Sequence, residues 1–173
     1  MTDFSGLRKE TLEWLKENQR EMFEHSDKIF EWAEPGLREY KSSKYLADLL
    51  DDNGFKVDRC VSGMPTAFIG NWGNKGPVLG FFAEYDATPG HSQKPVPYEE
   101  PIVQYGPGFT DAHNMLGVAG IYAALALKHT IENGDLKARI RLLGTTSVRS
   151  LSGSCMRRQR LRRAMATAFL ASS

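Results

Sequence analysis

Apolar and polar positions divide the chain into blocks of different period. Between residues 5 and 33, Leu12, Leu15, Met22, Ile29, Phe30 and Ala33 recur at spacings near three and four among Lys, Glu and Arg, which predicts one long amphipathic helix. Pro35-Gly36 interrupts it. A second helix is expected over about 38–52, carrying Tyr40, Tyr45, Leu46, Leu49 and Leu50 and stopping at Asn53-Gly54. Both helices read as packing elements. The period then shortens. FKVDRCV (55–61) alternates, TAFIGNW (66–72) is strand-like, and PVLGFFAEY (77–85) is nearly all apolar up to its acidic end. The turn NWGNKG (71–76) suits a hairpin, and the unbroken apolar run predicts an interior strand covered on both faces. A further helix from about Asn114 to Ile131, through LGVAGIYAALALKHTI, leads past Asn133-Gly134 into ARIRLLG (138–144) as a strand. A helix feeding a strand through a short turn is the crossover of a layered α/β domain.

After Gly144 the pattern dissolves. TTSVRSLSGSCMRRQRLRRAMATAFLASS contains no Asp or Glu, and Arg149, Arg157, Arg158, Arg160, Arg162 and Arg163 crowd into it. Arg-rich helices serve nucleic acids and anionic membranes. This one follows no nucleic-acid fold and lacks a large apolar stripe, so neither a specific nucleic acid nor a membrane is expected as partner. The expectation is one folded unit, 1–145, followed by a disordered or irregular basic tail, 146–173. The net charge of +1 gives the whole chain no bias toward polyanions. Cys60 and Cys155 lie far apart, which supports neither a disulfide scaffold nor a zinc–thiolate site. The polar N-terminus MTDFSGLRKE has no signal-peptide character, and a cytoplasmic location is expected.

Two stretches carry candidate chemistry. FFAEYDATPG (81–90) puts Glu84 and Asp86 at the end of a strand, where open α/β sheets place their ligands. Residues two apart on a strand share a face, so both carboxylates can address one crevice. They can equally cap the turn that follows. YGPGFTDAHNMLG (105–117) puts Asp111 and His113 between a glycine-rich turn and an apolar helix. Carboxylate and imidazole suit Zn²⁺, Mn²⁺ or Co²⁺, while Asp111 or Asn114 can instead serve as the helix N-cap. His25 and His129 fall within helices and read as core or surface residues, and His91 lies in a loop.

FFAEYDATPGHSQ (81–93), GFTDAHNMLG (108–117) and FEWAEPGLREYKSSKYLADLLDDNGFKV (30–57) together resemble the M20 family of metallopeptidases and amidohydrolases, in the branch of aminobenzoyl-glutamate hydrolase B-type subunits. The resemblance runs from about residue 10 to 145. It implies the N-terminal part of a three-layer α/β/α, zinc-hydrolase-type catalytic domain. The implied activity is hydrolysis of amide bonds in N-acyl amino acids or small peptides, with two divalent metals, Zn²⁺ or Mn²⁺. By the same resemblance Glu84, Asp111 and His113 fall on metal-ligand positions, and Asp86 on the catalytic acid that orients a metal-bound histidine. Phe109 stands where relatives often carry His. Where the family continues after ARIRLLGTT with adjacent glutamates, this chain has SVRSLSGSC. A missing general base implies weak or no turnover, and the abrupt change near residue 145 suggests a chain whose reading frame or gene model departs from its ancestral course. The alternative expectation is a non-catalytic fragment that self-associates or partners a longer hydrolase subunit.

Overall fold

The computed structural model describes residues 4–145. The expected basic tail, 146–173, lies outside the described residues. In chain order the elements are α1 (Phe4–Glu17), α2 (Gln19–Trp32), α3 (Tyr40–Asp52), β1 (Lys56–Arg59), β2 (Phe68–Trp72), β3 (Val78–Glu84), α4 (His113–Asn133) and β4 (Arg139–Thr145). Among the described residues no helix is long and apolar enough to cross a membrane.

The block read as one helix is two. Asn18 leaves helical geometry at φ −91° and ψ 2°, and its side-chain amide donates to the Trp14 carbonyl at 2.7 Å. Asparagine competes in this way with the helix's own ladder, and the break lets α1 and α2 pack separately on α4. At the second break, Pro35-Gly36 turns Glu34 back over the start of α3. The Glu34 carboxylate accepts from the Lys41 N–H at 3.0 Å and from the Ser42 N–H at 2.8 Å. It therefore caps a helix whose own N-cap residue makes no side-chain cap bond. The Glu34 carbonyl also accepts from the Ala87 N–H at 2.8 Å, which pins this loop beside the end of β3.

The four-stranded sheet has the order β1-β2-β4-β3. β1–β2 and β2–β4 are antiparallel, and β3–β4 is parallel. The parallel β3–α4–β4 unit is the crossover expected from the sequence. The hairpin expected at NWGNKG does not form, because β4 is inserted between β2 and β3. The turn instead arches over the start of β4: a Cβ on Gly76 would stand 2.1 Å from the Lys137 carbonyl oxygen.

Strand β3, read as interior, is the edge strand among the described residues, with Leu79 42% and Phe82 52% exposed. An unbroken apolar run reports what lies above and below a strand, not what lies beside it. All four described helices stand on one face of the sheet. That face is built from Phe68, Trp72, Phe81, Ala83, Ile140 and Leu142, packed with Leu46, Leu50, Val118 and Ile121. The described residues thus supply the sheet and one helical layer, in a mixed α/β architecture. The opposite face carries Ile69, Phe82, Leu143 and an Arg141–Asn71 hydrogen bond of 2.8 Å.

Close approach fixes α4 on the sheet. A Cβ on Gly120 would stand 2.0 Å from the Phe82 carbonyl oxygen, and one on Gly117 2.9 Å from that of Glu84. Two backbones therefore touch with no side chain between them. On the neighbouring pair, Phe68 lies opposite Gly144 and its ring covers the space a side chain would take, 2.2 Å from an added Cβ.

Candidate metal centre

The site lies where β3 ends and α4 begins. Tyr85 is wholly buried beside it, stacked on Phe68 at 5.9 Å and donating its hydroxyl hydrogen to the Thr66 carbonyl. This fixes the backbone on which Glu84 and Asp86 stand. A long loop then leaves the sheet and returns, and its neck is closed by paired backbone bonds between Thr88 and Gly108 of 2.8 and 3.0 Å. Beyond the neck, Ala112 adopts left-handed geometry, φ 57° and ψ 29°, immediately before α4. An alanine there is strained, and the turn it makes lies between Asp111 and His113.

His113 is 5% exposed and Asp86 6%. The Nδ1 of His113 and the Oδ1 of Asp86 are 2.8 Å apart. With an ionised Asp86 as acceptor, the Nδ1–H donates, and the ring is held in one orientation with Nε2 outward. Nε2 lies 3.2 Å from the Glu84 Oε2 and 3.4 Å from the Asp111 Oδ2. Nε2 has two mutually exclusive uses here. Protonated, it donates to these carboxylates. Unprotonated, it aims a lone pair into the space they border. Ligands bonded at about 2.0–2.1 Å to a tetrahedral cation lie about 3.3 Å from one another, so both separations have the length of a ligand-set edge. The donor chemistry, one imidazole and two carboxylates, suits a divalent cation. Yet among the described residues no group of three or more His, Cys, Asp and Glu side chains converges as a metal-binding cluster. His113 thus makes two edges of a ligand set that is not closed.

The structure brings Glu84, Asp86, Asp111 and His113 together, although 27 residues separate Asp86 from His113. Neither Asp111 nor Asn114 is the helix N-cap. That position is Ala112, and it makes no side-chain cap bond. Asn114 is buried and donates to the Ser26 Oγ at 2.9 Å, tying α4 to α2. Phe109 stacks on Phe30 at 6.0 Å and lines a cleft of about 170 Å³ with Trp32 and Val103. The remaining histidines fit their packing reading. His25 bonds Tyr45 at 2.5 Å, and His129 stacks on Trp14 at 5.6 Å. His91 is exposed in its loop.

One acid escaped the sequence reading. Glu39, wholly buried, accepts from the Leu37 N–H at 2.9 Å and the Thr66 hydroxyl at 2.8 Å. Burial pushes its carboxyl up to about 7 against the pull of these bonds, and the negative charge of Asp86 adds to the rise. Nothing in GLREY distinguishes this acid from a solvated one.

Comparison with known proteins agrees with this geometry. No family model matches the chain. The chain is 34% identical over 129 residues to the B-type subunit of p-aminobenzoyl-glutamate hydrolase from Escherichia coli (strain K12), across 74% of this chain and 27% of that protein. It therefore spans about a quarter of the length of this curated relative. Among solved structures, the YXEP protein of Bacillus subtilis, described as a dinuclear metal-binding peptidase from the M20 family, superimposes with a TM-score of 0.69 at 18% identity, over 88% of this chain and 41% of that one. The aminobenzoyl-glutamate utilization protein of Klebsiella pneumoniae gives 0.55 at 15% identity, over 79% and 39%. The chain has the M20 metallopeptidase and amidohydrolase fold and is related to the B-type subunit of aminobenzoyl-glutamate hydrolase.

Proposed function

We propose that residues 1–145 are the first part of a cytoplasmic M20-type amidohydrolase domain that acts on amide bonds of N-acyl amino acids or small peptides. In this reading Asp86 is the positioning acid, and Glu84, Asp111 and His113 hold divalent metal, Zn²⁺ or Mn²⁺. The observation that carries it is the buried Asp86–His113 bond of 2.8 Å, with Nε2 turned toward two carboxylates. Asp86 holds the proton at Nδ1, which keeps the lone pair at Nε2. Glu84 and Asp111 supply the negative charge that balances a cation. When bound, divalent metal supplies Lewis acidity toward the amide carbonyl and toward water. Attack by water also needs a proton acceptor, and the sequence has no Asp or Glu after Asp135. Metal capture with little turnover is the expected behaviour of this chain.

Metal content after dialysis, and calorimetric titration with zinc and manganese, test the reading. His113→Ala and Asp111→Ala should abolish stoichiometric uptake. Asp86→Asn should weaken it about 10- to 100-fold, the usual cost of losing the carboxylate behind a ligating histidine. A folded wild-type chain that takes up no metal would end the metal-site reading. The second reading, a non-catalytic partner of a longer hydrolase subunit, draws on the exposed Leu79, Phe82, Met115 and Leu116. Co-purification with such a subunit, unaffected by His113→Ala, would favour it.

A further inference from the structure

We propose that Glu39 is a positioning residue of the metal centre, bracing the strand end that carries Glu84 and Asp86 and giving up a proton to solvent when the centre takes up a cation. The proposal rests on the metal-site reading above and names the group that tunes that site to pH. Glu39 acts through two other residues. Its Oε2 accepts from the Thr66 hydroxyl at 2.8 Å. The carbonyl of the same Thr66 accepts from the Tyr85 hydroxyl, and Tyr85 stands between Glu84 and Asp86 in the chain. The other carboxyl oxygen, Oε1, accepts from the Leu37 N–H at 2.9 Å. Leu37 has φ 68°, a left-handed conformation that costs a leucine energy. A strained turn and the floor of the site are thus held by one buried carboxyl group.

Both Glu39 and Asp86 are buried, and like charges in a dry interior disfavour each other. Asp86 has the Nδ1–H of His113 as its partner, whereas Glu39 is met by backbone N–H and a hydroxyl. The proton therefore stays on Glu39, whose carboxyl is pushed up to about 7 by burial first and by the charge of Asp86 after it. The titratable groups facing Glu39 are Asp86 and Tyr85. Burial pushes the Tyr85 phenol well up, so it stays a neutral donor near neutrality. A hydroxyl can donate to a carboxylate or accept from a carboxylic acid, so the Thr66 contact serves Glu39 in both states. Positive charge held by Glu84, Asp111 and His113 offsets the charge of Asp86 and favours ionised Glu39. The Glu39 O–H bond then breaks, its electron pair stays on the carboxylate, and the proton passes to buffer. By reciprocity, ionised Glu39 raises cation affinity by the factor by which the cation weakens the hold of Glu39 on its proton.

Calorimetric titration of the full chain with zinc, in buffers of different ionisation enthalpy, reads affinity and released protons together. Glu39→Gln keeps an acceptor for the Leu37 N–H but has no proton to release. With a coupling of about tenfold, common for linked sites, the wild type should bind zinc about twofold more tightly than the variant at about pH 6 and about eightfold more tightly at about pH 7.5. Near pH 6.5 the variant should release about half a proton less per zinc bound. A merely structural role for Glu39 moves neither reading. Equal proton release and an equal pH profile of affinity in the two proteins, with zinc uptake intact, overturn the proposal and leave the metal-site reading standing. A folded wild-type chain that takes up no zinc ends both. Should the variant misfold, the Glu39 carboxyl carbon of the wild type, followed by NMR against pH, decides. Its titration should move down by about one pH unit on saturation with zinc, and an unmoved titration overturns the proposal.

Discussion

Replacing Glu39 by Gln isolates the cost of burying one carboxyl group. Glu39 has no exposed surface, and burial raises its carboxyl from the ordinary 4.5 to about 7. An acid whose folded value lies above its unfolded value holds more protons folded than unfolded between the two. Its contribution is therefore most favourable below about 4.5, declines as pH rises toward 7, and is constant above that. Integrated between about pH 5 and about pH 8, the loss is about 2.5 kcal/mol. Gln keeps an acceptor for the Leu37 N–H and a polar group beside Thr66, and it does not titrate. Urea unfolding of both proteins at the two pH values, with chelator present, gives the double difference in which every other titrating group cancels. The variant should lose about 2.5 kcal/mol less than the wild type on going to the higher pH. Equal pH dependence in the two proteins would refute the reasoning, and would mean that Glu39 is hydrated or ionised in the fold.

Two further substitutions probe the scaffold beneath the site. Gly120→Ala drives a methyl group into the Phe82 carbonyl, and should cost about 1–3 kcal/mol, seen as a melting temperature lower by roughly 3–10 °C. Tyr85→Phe removes the buried hydroxyl bonded to the Thr66 carbonyl, and should cost about 1–3 kcal/mol in denaturant unfolding, because that carbonyl is left without its donor.

The sequence was legible where the signal is local. Periodicity located α3 and α4 to within two residues at each end, because each is a continuous apolar stripe with a stop signal behind it. The juxtaposition of EYD and DAH was legible only through the family resemblance, since the contact crosses a loop and depends on the Thr88–Gly108 neck. Pattern could not reveal the order of the strands. The turn NWGNKG has hairpin chemistry, but the insertion of β4 is decided by the burial of Ile140 and Leu142 against α3 and α4, far away in sequence. Asn18 looked like any polar residue on the outer face of a helix. Glu39 looked solvated for the same reason: burial of a single charge is a tertiary fact, and one-dimensional spacing does not carry it.

Contact between α4 and β3 through Gly117 and Gly120 has a consequence for tolerance to sequence change. His113 is the first residue of a helix whose height above the sheet is set by backbone meeting backbone. Substitutions among the larger core residues alter how the spaces beside that contact are filled, while the contact itself sets where the helix begins. The position of the imidazole is thus insulated from drift in the hydrophobic core, and the core is free to diverge as long as the two glycines persist. Such a division of labour suits a fold that still superimposes at a TM-score of 0.69 when only 18% of its residues are shared.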